Sequence, residues 1–138
     1  MANEWVKVEL YGANNDGNPI RYTIADGISV SKGQVLELID NRTVQVNSTV
    51  GQLANIAGIA MEEHIANQGK TSIAAWTDGI FRAVVSGASI TVGEGCWLCG
   101  ANDANKVCSA AITTHTSSQI RAFDTGTDGT TISVRLKV

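Results

Sequence analysis

The stretch GIAMEEHIANQGKTSIAAWTDGIFRAVVSGASITVGEGCWL, from Gly58 to Leu98, is a series of short apolar runs separated by glycine. Part of this pattern occurs twice, because Gly33-Gln-Val-Leu-Glu-Leu38 has a counterpart sixty positions later in Gly93-Glu-Gly-Cys-Trp-Leu98. Each copy then reaches a related element, Gly69 to Ile73 in the first and Gly129 to Ile132 in the second. The pattern predicts a small β-scaffold with a degenerate internal duplication, and we find no catalytic constellation in it.

Length and composition restrict the class of protein. With 138 residues, the chain suits one domain spanning 1–138, and 14 glycines against one proline favour many tight turns. The net charge is −3 and the basic residues are scattered singly, so we expect no nucleic-acid partner. No apolar run approaches the ~18 residues of a membrane span, and the first residues do not resemble a secretory signal. We therefore expect a soluble protein with no membrane partner.

Strict alternation of apolar and polar residues predicts strands near both ends of the chain. Apolar residues alternate with Lys7 and Glu9 in Val6–Leu10, and similar alternation occurs in Ile20–Ile24 and Ile132–Val138. We expect the first two strands to form a long-looped hairpin within residues 1–28, because the residues between them favour turns. The apolar residues of each strand are expected to face the core.

The middle of the chain contains further strand-like runs with turn signals about every ten residues, a spacing typical of an all-β sandwich or barrel. One segment, Thr49–Met61, fits either helix or strand. We expect a short helical turn at Thr49–Asn55 followed by an extended Ile56–Met61, so that the fold contains at most one short helix. The other predicted strands are Val35–Ile39, Val44–Val46, Ser72–Thr77, Ile80–Val85, Ser89–Val92 and Cys96–Leu98, with turns at Asp26-Gly27, Asp78-Gly79, Ser86-Gly87 and Asp128-Gly129.

The cysteines and histidines are the most reactive residue types in the chain. Cys96 and Cys99 form a C-x-x-C motif that could bind zinc together with Cys108 and His115. We favour a structural role, because in a strand residues three apart point to opposite faces. The odd number of cysteines favours reduced thiols over a disulfide framework, and we interpret both histidines, His64 and His115, as exposed loop residues. We expect no metal, no cofactor and no enzymatic activity.

The tryptophans are better candidates for binding. Trp5 lies on the polar face of the first predicted strand, next to Val6 and Lys7, and Trp76 and Trp97 lie at strand ends beside glycine-rich turns. Aromatic residues at such positions often anchor interfaces. Because the first strand is expected to be an unprotected edge, we predict that these five residues contact a partner or a second subunit. For Trp76 and Trp97, the alternative is that each side chain caps an open end of the barrel.

A set of short motifs in a fixed order resembles the capsid decoration, or cement, proteins of tailed bacteriophages. The motifs are Ile56-Ala-Gly-Ile-Ala60, Gly69-Lys-Thr-Ser-Ile73, Asp78-Gly-Ile-Phe81 and Ser86-Gly-Ala-Ser-Ile-Thr-Val-Gly93. The match covers roughly residues 30 to 100. It differs from the family at Ser89 and at Gly95-Cys96-Trp97.

The resemblance implies a structural function. Such proteins are made in the host bacterial cytoplasm and bind the outer surface of the phage head. They are commonly homotrimers that stabilise the mature capsid by bridging major capsid protein subunits. The alternative is another structural module of the virion, such as a tail or head fibre.

Overall fold

A computed structural model describes residues 3–47, 55–98, 105–109 and 119–138. This part of the chain is all-β, as predicted, and it contains no helix that could span a membrane. The described strands, in chain order, are β1 Val6–Leu10, β2 Ile20–Ile24, β3 Val35–Asp40, β4 Thr43–Val46, β5 Ile56–Ala60, β6 Ser72–Trp76, β7 Asp78–Val84, β8 Gly95–Leu98, β9 Val107–Ser109, β10 Ile120–Ala122 and β11 Thr131–Lys137.

The first half of the fold is a closed five-stranded barrel in the order β2-β4-β3-β5-β6. The remaining strands form a sheet in the order β1-β7-β11-β10-β8-β9. β2 and β4 pair in parallel in the first half, and a single parallel bridge from Val85 to Val107 joins the end of β7 to β9 in the second. With β1 set aside, β7 to β11 therefore repeat the arrangement of β2 to β6.

Matching hydrogen bonds support this duplication. The N–H of Gly33 donates to the carbonyl of Ala60 at 2.9 Å, and the N–H of Gly93 donates to the carbonyl of Ala122 at 2.8 Å. Both glycines precede equivalent strands and have nearly the same backbone angle, with φ of 95° and 93°. The weak sequence repeat thus corresponds to two structurally equivalent halves. The antiparallel bridges Val30–His64 and Ile90–Gly126 also match between the halves.

The predicted hairpin of the first two strands is wrong. β1 pairs with β7 in the second half, whereas β2 belongs to the barrel of the first half. The expected core face of β1 is also wrong, because Val6 and Val8 are 61% and 54% exposed. β1 is an edge strand, and its register shifts between Lys7 and Glu9, so simple alternation does not determine its burial.

Other strand predictions were confirmed or corrected in detail. Ile56–Ala60 is extended, as expected, while the helical turn predicted at Thr49–Asn55 falls almost entirely outside the described residues. Asp78 and Gly79 do not form a turn but begin β7. Ser89–Val92 is not a strand and makes only the bridge at Ile90. The predictions missed the short strands β9 and β10.

Two apolar clusters form the core, and one of them connects the halves. The first fills the barrel, with Ile24, Leu36, Val44 and Ile73 fully buried. The second fills the β7–β11 half and extends into the first half. Its members are Trp5, Val35, Ile56, Ile59, Trp76, Phe81, Ala83, Val85, Ile90, Cys96, Leu98, Val107, Ile120, Ala122, Ile132, Val134 and Leu136.

Candidate functional site: the N-terminal cavity

The N-terminal segment, residues 3–10, is attached to the first half by a close backbone contact. The N–H of Trp5 donates to the carbonyl of Gly33 at 2.8 Å. A Cβ atom at position 33 would lie 2.6 Å from the carbonyl oxygen of Trp5 and 2.9 Å from Cβ of Glu4. Together with its φ of 95°, this explains why glycine occupies the position. The segment therefore packs directly on the turn that precedes β3.

Trp5 is buried, which corrects the expectation that it lies on the exposed polar face of the first strand. Its side chain is 3% exposed, and its indole Nε1–H donates to the carbonyl of Asn105 at 2.7 Å. Asn105 also accepts a 3.0 Å hydrogen bond from the N–H of Val35 through Oδ1. Trp5 precedes β1, which begins at Val6, so the alternation of that strand does not set its direction. It therefore anchors the segment instead of presenting an exposed aromatic surface.

Two tryptophans and two lysines meet above the shared core. The rings of Trp5 and Trp76 each lie 5.9 Å from the ring of Phe81, in tilted geometry. Above Trp76, the Nζ atoms of Lys7 and Lys32 lie 5.5 Å and 5.7 Å from the ring centroid. Cation–π contacts of this kind hold a lysine ammonium near the ring. Trp76 thus holds the ammonium groups of both lysines beside its own indole ring.

The two tryptophans and the two lysines line a cavity of about 360 Å³, which we call the N-terminal cavity. It is lined by four of the five residues predicted as interface, namely Trp5, Val6, Lys7 and Trp76, which come from the N-terminal segment and from β6, two parts of the chain that are distant in sequence. The cavity combines an apolar wall, an indole and two ammonium groups, a set suited to non-covalent binding. The residues that sequence reasoning missed are Glu4 and Lys32.

The fifth predicted residue, Trp97, does not line the N-terminal cavity. It is half-buried on β8, where it pairs with Cys108 of β9. The structure therefore separates Trp97 from the other four candidates.

The candidate zinc ligands are not supported where the structure describes them. Cys96 is 2% exposed, and burial, together with the nearby charge of Glu94, raises the pKa of its thiol to about 12. Cys108 is disulfide-bonded, which corrects the expectation of reduced thiols and leaves it without a thiolate for a metal. No group of three potential ligands that could hold a metal occurs among the described residues. Cys99 and His115 lie outside them.

His64 is not the exposed loop residue expected from the sequence. It is 1% exposed, and its Nδ1 and Nε2 atoms lie 2.6 Å from the carbonyl oxygens of Ile28 and Lys70, respectively. The ring thereby connects the two turns beside the bridge between Val30 and His64. These contacts indicate a structural role in closing one end of the first half.

Comparison with known proteins shows a structural likeness but no sequence relative. No family model and no curated protein matches the chain. Among solved structures, the fold is similar to that of the N base of the head fibre protein gp8.5 of bacteriophage phi29. The likeness covers 86% of this chain and 94% of that chain, with a TM-score of 0.51 and 10% sequence identity. At this identity, the comparison establishes a shared fold.

Proposed function

We propose that this protein is a structural component of a tailed-bacteriophage virion that binds the outer surface of the head. In this role it stabilises the mature capsid by bridging neighbouring major capsid protein subunits. The observation that carries the proposal is the fold, which is shared over 86% of the chain with the base of a phage head fibre. The ordered glycine motifs, which resemble those of capsid decoration proteins, support the same class.

The geometry suits attachment through the N-terminal segment. β1 is an edge strand with Val6 and Val8 exposed, and the N-terminal cavity opens beside it. An edge strand can add to the sheet of a partner, and the cavity can receive a side chain from the same partner. Self-association as a homotrimer is part of the proposal, because several weak contacts to one particle bind together far more tightly than one.

The test is reconstitution on capsids. Purified protein is added to expanded capsids that lack it, and the bound amount and the temperature of capsid disruption are measured. We expect saturable binding and a higher disruption temperature, and sedimentation of the free protein should give the mass of a trimer. The proposal fails if no expanded head binds the protein.

A second candidate function is the base of a head fibre, which the name of the structural neighbour specifically favours. Both functions place the protein on the head, but a fibre base projects a further appendage and need not bridge capsid subunits. Electron microscopy of labelled virions distinguishes them. A density that spans adjacent capsid subunits without an attached fibre supports decoration, whereas a fibre rising from the labelled site supports the alternative.

A further inference from the structure

We propose that the N-terminal cavity binds one carboxylate side chain, an Asp or a Glu, presented by the surface of the phage head. The inference rests on the proposed function and specifies the chemistry of the contact. The cavity carries an imbalance of charge. Lys7 and Lys32 are both exposed and both lie over Trp76, and within the described part of the chain neither ammonium group has a carboxylate partner.

Two like charges above one indole repel each other, and a bound anion relieves the repulsion. Trp76 reduces the entropic cost of binding, because the cation–π contacts already hold both flexible lysines at the cavity. A carboxylate has two oxygens and can accept a charge-assisted hydrogen bond from each ammonium group. Each ammonium group thereby gains the anionic partner that it lacks among the described residues.

The charge and shape of the cavity favour a carboxylate over a phosphate. Glu4 also lines the cavity, so the two lysines and this residue leave one net positive charge. A monoanion balances that charge, whereas a phosphate dianion would overbalance it next to Glu4. The aliphatic part of an Asp or Glu side chain finds apolar contacts on Val6 and the indole of Trp76. The whole chain carries a net charge of −3, so this cavity is a local exception to an acidic protein.

The experiment measures binding of the full chain to expanded capsids for the wild type, Lys32→Gln and the double variant Lys7→Gln/Lys32→Gln. The matched control is Lys137→Gln, which removes the same charge at an exposed position outside the cavity. We expect Lys32→Gln to weaken binding about fivefold and the double variant to weaken it further. The control should stay within about twofold, because an exposed charge that does not line the cavity contributes little. Equal binding of the wild type and the double variant would overturn the proposal.

A second measurement does not depend on capsids. The indole N–H resonance of Trp76 is followed by NMR during titration with N-acetylglutamate amide, N-acetylglutamine amide or inorganic phosphate. We expect a saturable shift with the glutamate compound alone, and its loss in Lys32→Gln. Equal shifts with the glutamine compound, or a stronger response to phosphate, contradict a carboxylate site. If the wild type binds no capsid but shows the glutamate-specific shift, the proposed function fails while the carboxylate chemistry stands.

Sedimentation of the free protein identifies the source of the carboxylate. If the carboxylate belongs to the head surface, Lys32→Gln leaves the oligomeric state unchanged. If the variant dissociates the free oligomer, a second copy of the chain supplies the carboxylate, and the assignment to the head surface is overturned.

Discussion

Replacing Gly33 by alanine should destabilise the protein more than the same change at Gly93, its equivalent in the second half. Both glycines have a left-handed φ, 95° and 93°, which costs an alanine about 1–2 kcal/mol. At Gly93, a new Cβ meets nothing within 4 Å in the described part of the chain, so this is the whole expected cost. At Gly33 it lies 2.6 Å from the backbone oxygen of Trp5, and such overpacking adds about 1–3 kcal/mol.

The assay is urea unfolding followed by tryptophan fluorescence, with the two variants compared at equal m-values. The loss of unfolding free energy in Gly33→Ala beyond that in Gly93→Ala cannot exceed about 3–5 kcal/mol, the usual cost of losing the packing of a large buried aromatic side chain. If the clash cost more than this, the chain would release the N-terminal segment and expose Trp5. In that case native Gly33→Ala should show red-shifted emission, while Gly93→Ala should not. Equal losses of stability with unchanged emission in both variants would refute the argument that position 33 must remain glycine for the segment to dock.

Three further predictions concern buried or hydrogen-bonded groups. His64→Ala leaves two main-chain carbonyls without their ring partner and should lower the free energy of unfolding by about 3 kcal/mol, as measured by urea titration. Cys96 should resist iodoacetamide at about pH 8 in the native protein and react only after unfolding, which mass spectrometry can follow, because burial raises the pKa of its thiol to about 12. The N–H of Ser133 donates to Asp124 and lowers the pKa of that carboxyl from its usual 3.8. The stabilising effect of the Asp124 carboxylate is therefore fully present above about pH 3.8 and is lost as the pH falls through the lowered pKa of the folded protein. The stabilities of Asp124→Ala and the wild type should therefore converge in acid.

Local sequence patterns predicted the fold class and many strands, because the strands of a barrel share the same alternation of apolar residues that face the core and polar residues that face solvent. In β11, Ile132, Val134 and Leu136 are buried as their alternation indicates, since both neighbouring strands fix its faces. The same rule failed for β1, which pairs on one side only among the described strands and has a shift in register, so that Val6 and Val8 remain exposed. Alternation determines burial only where the sheet on both sides constrains the strand.

The site was predictable only in part. Composition and position identified Trp5, Val6, Lys7 and Trp76, but not that they share one cavity. Lys32 escaped notice because it is a single charge in a turn, and its importance depends on Trp76, 44 positions away in the sequence. One signal for Lys32 was available in the internal duplication. The turn before β3 has Lys32 ahead of Gly33, whereas the equivalent turn before β8 has Val92 ahead of Gly93. A charge that appears in only one of two related turns points to a function specific to that half.

The N-terminal segment has a thermodynamic consequence for the molecule as a whole. Its first residues dock on Gly33 and Asn105, while its strand pairs with β7 of the second half. Opening either half therefore removes part of the surface on which this segment rests and exposes the apolar cluster that the halves share. The two duplicated units should consequently unfold in one cooperative transition, with residues 3–10 acting as the coupling between them.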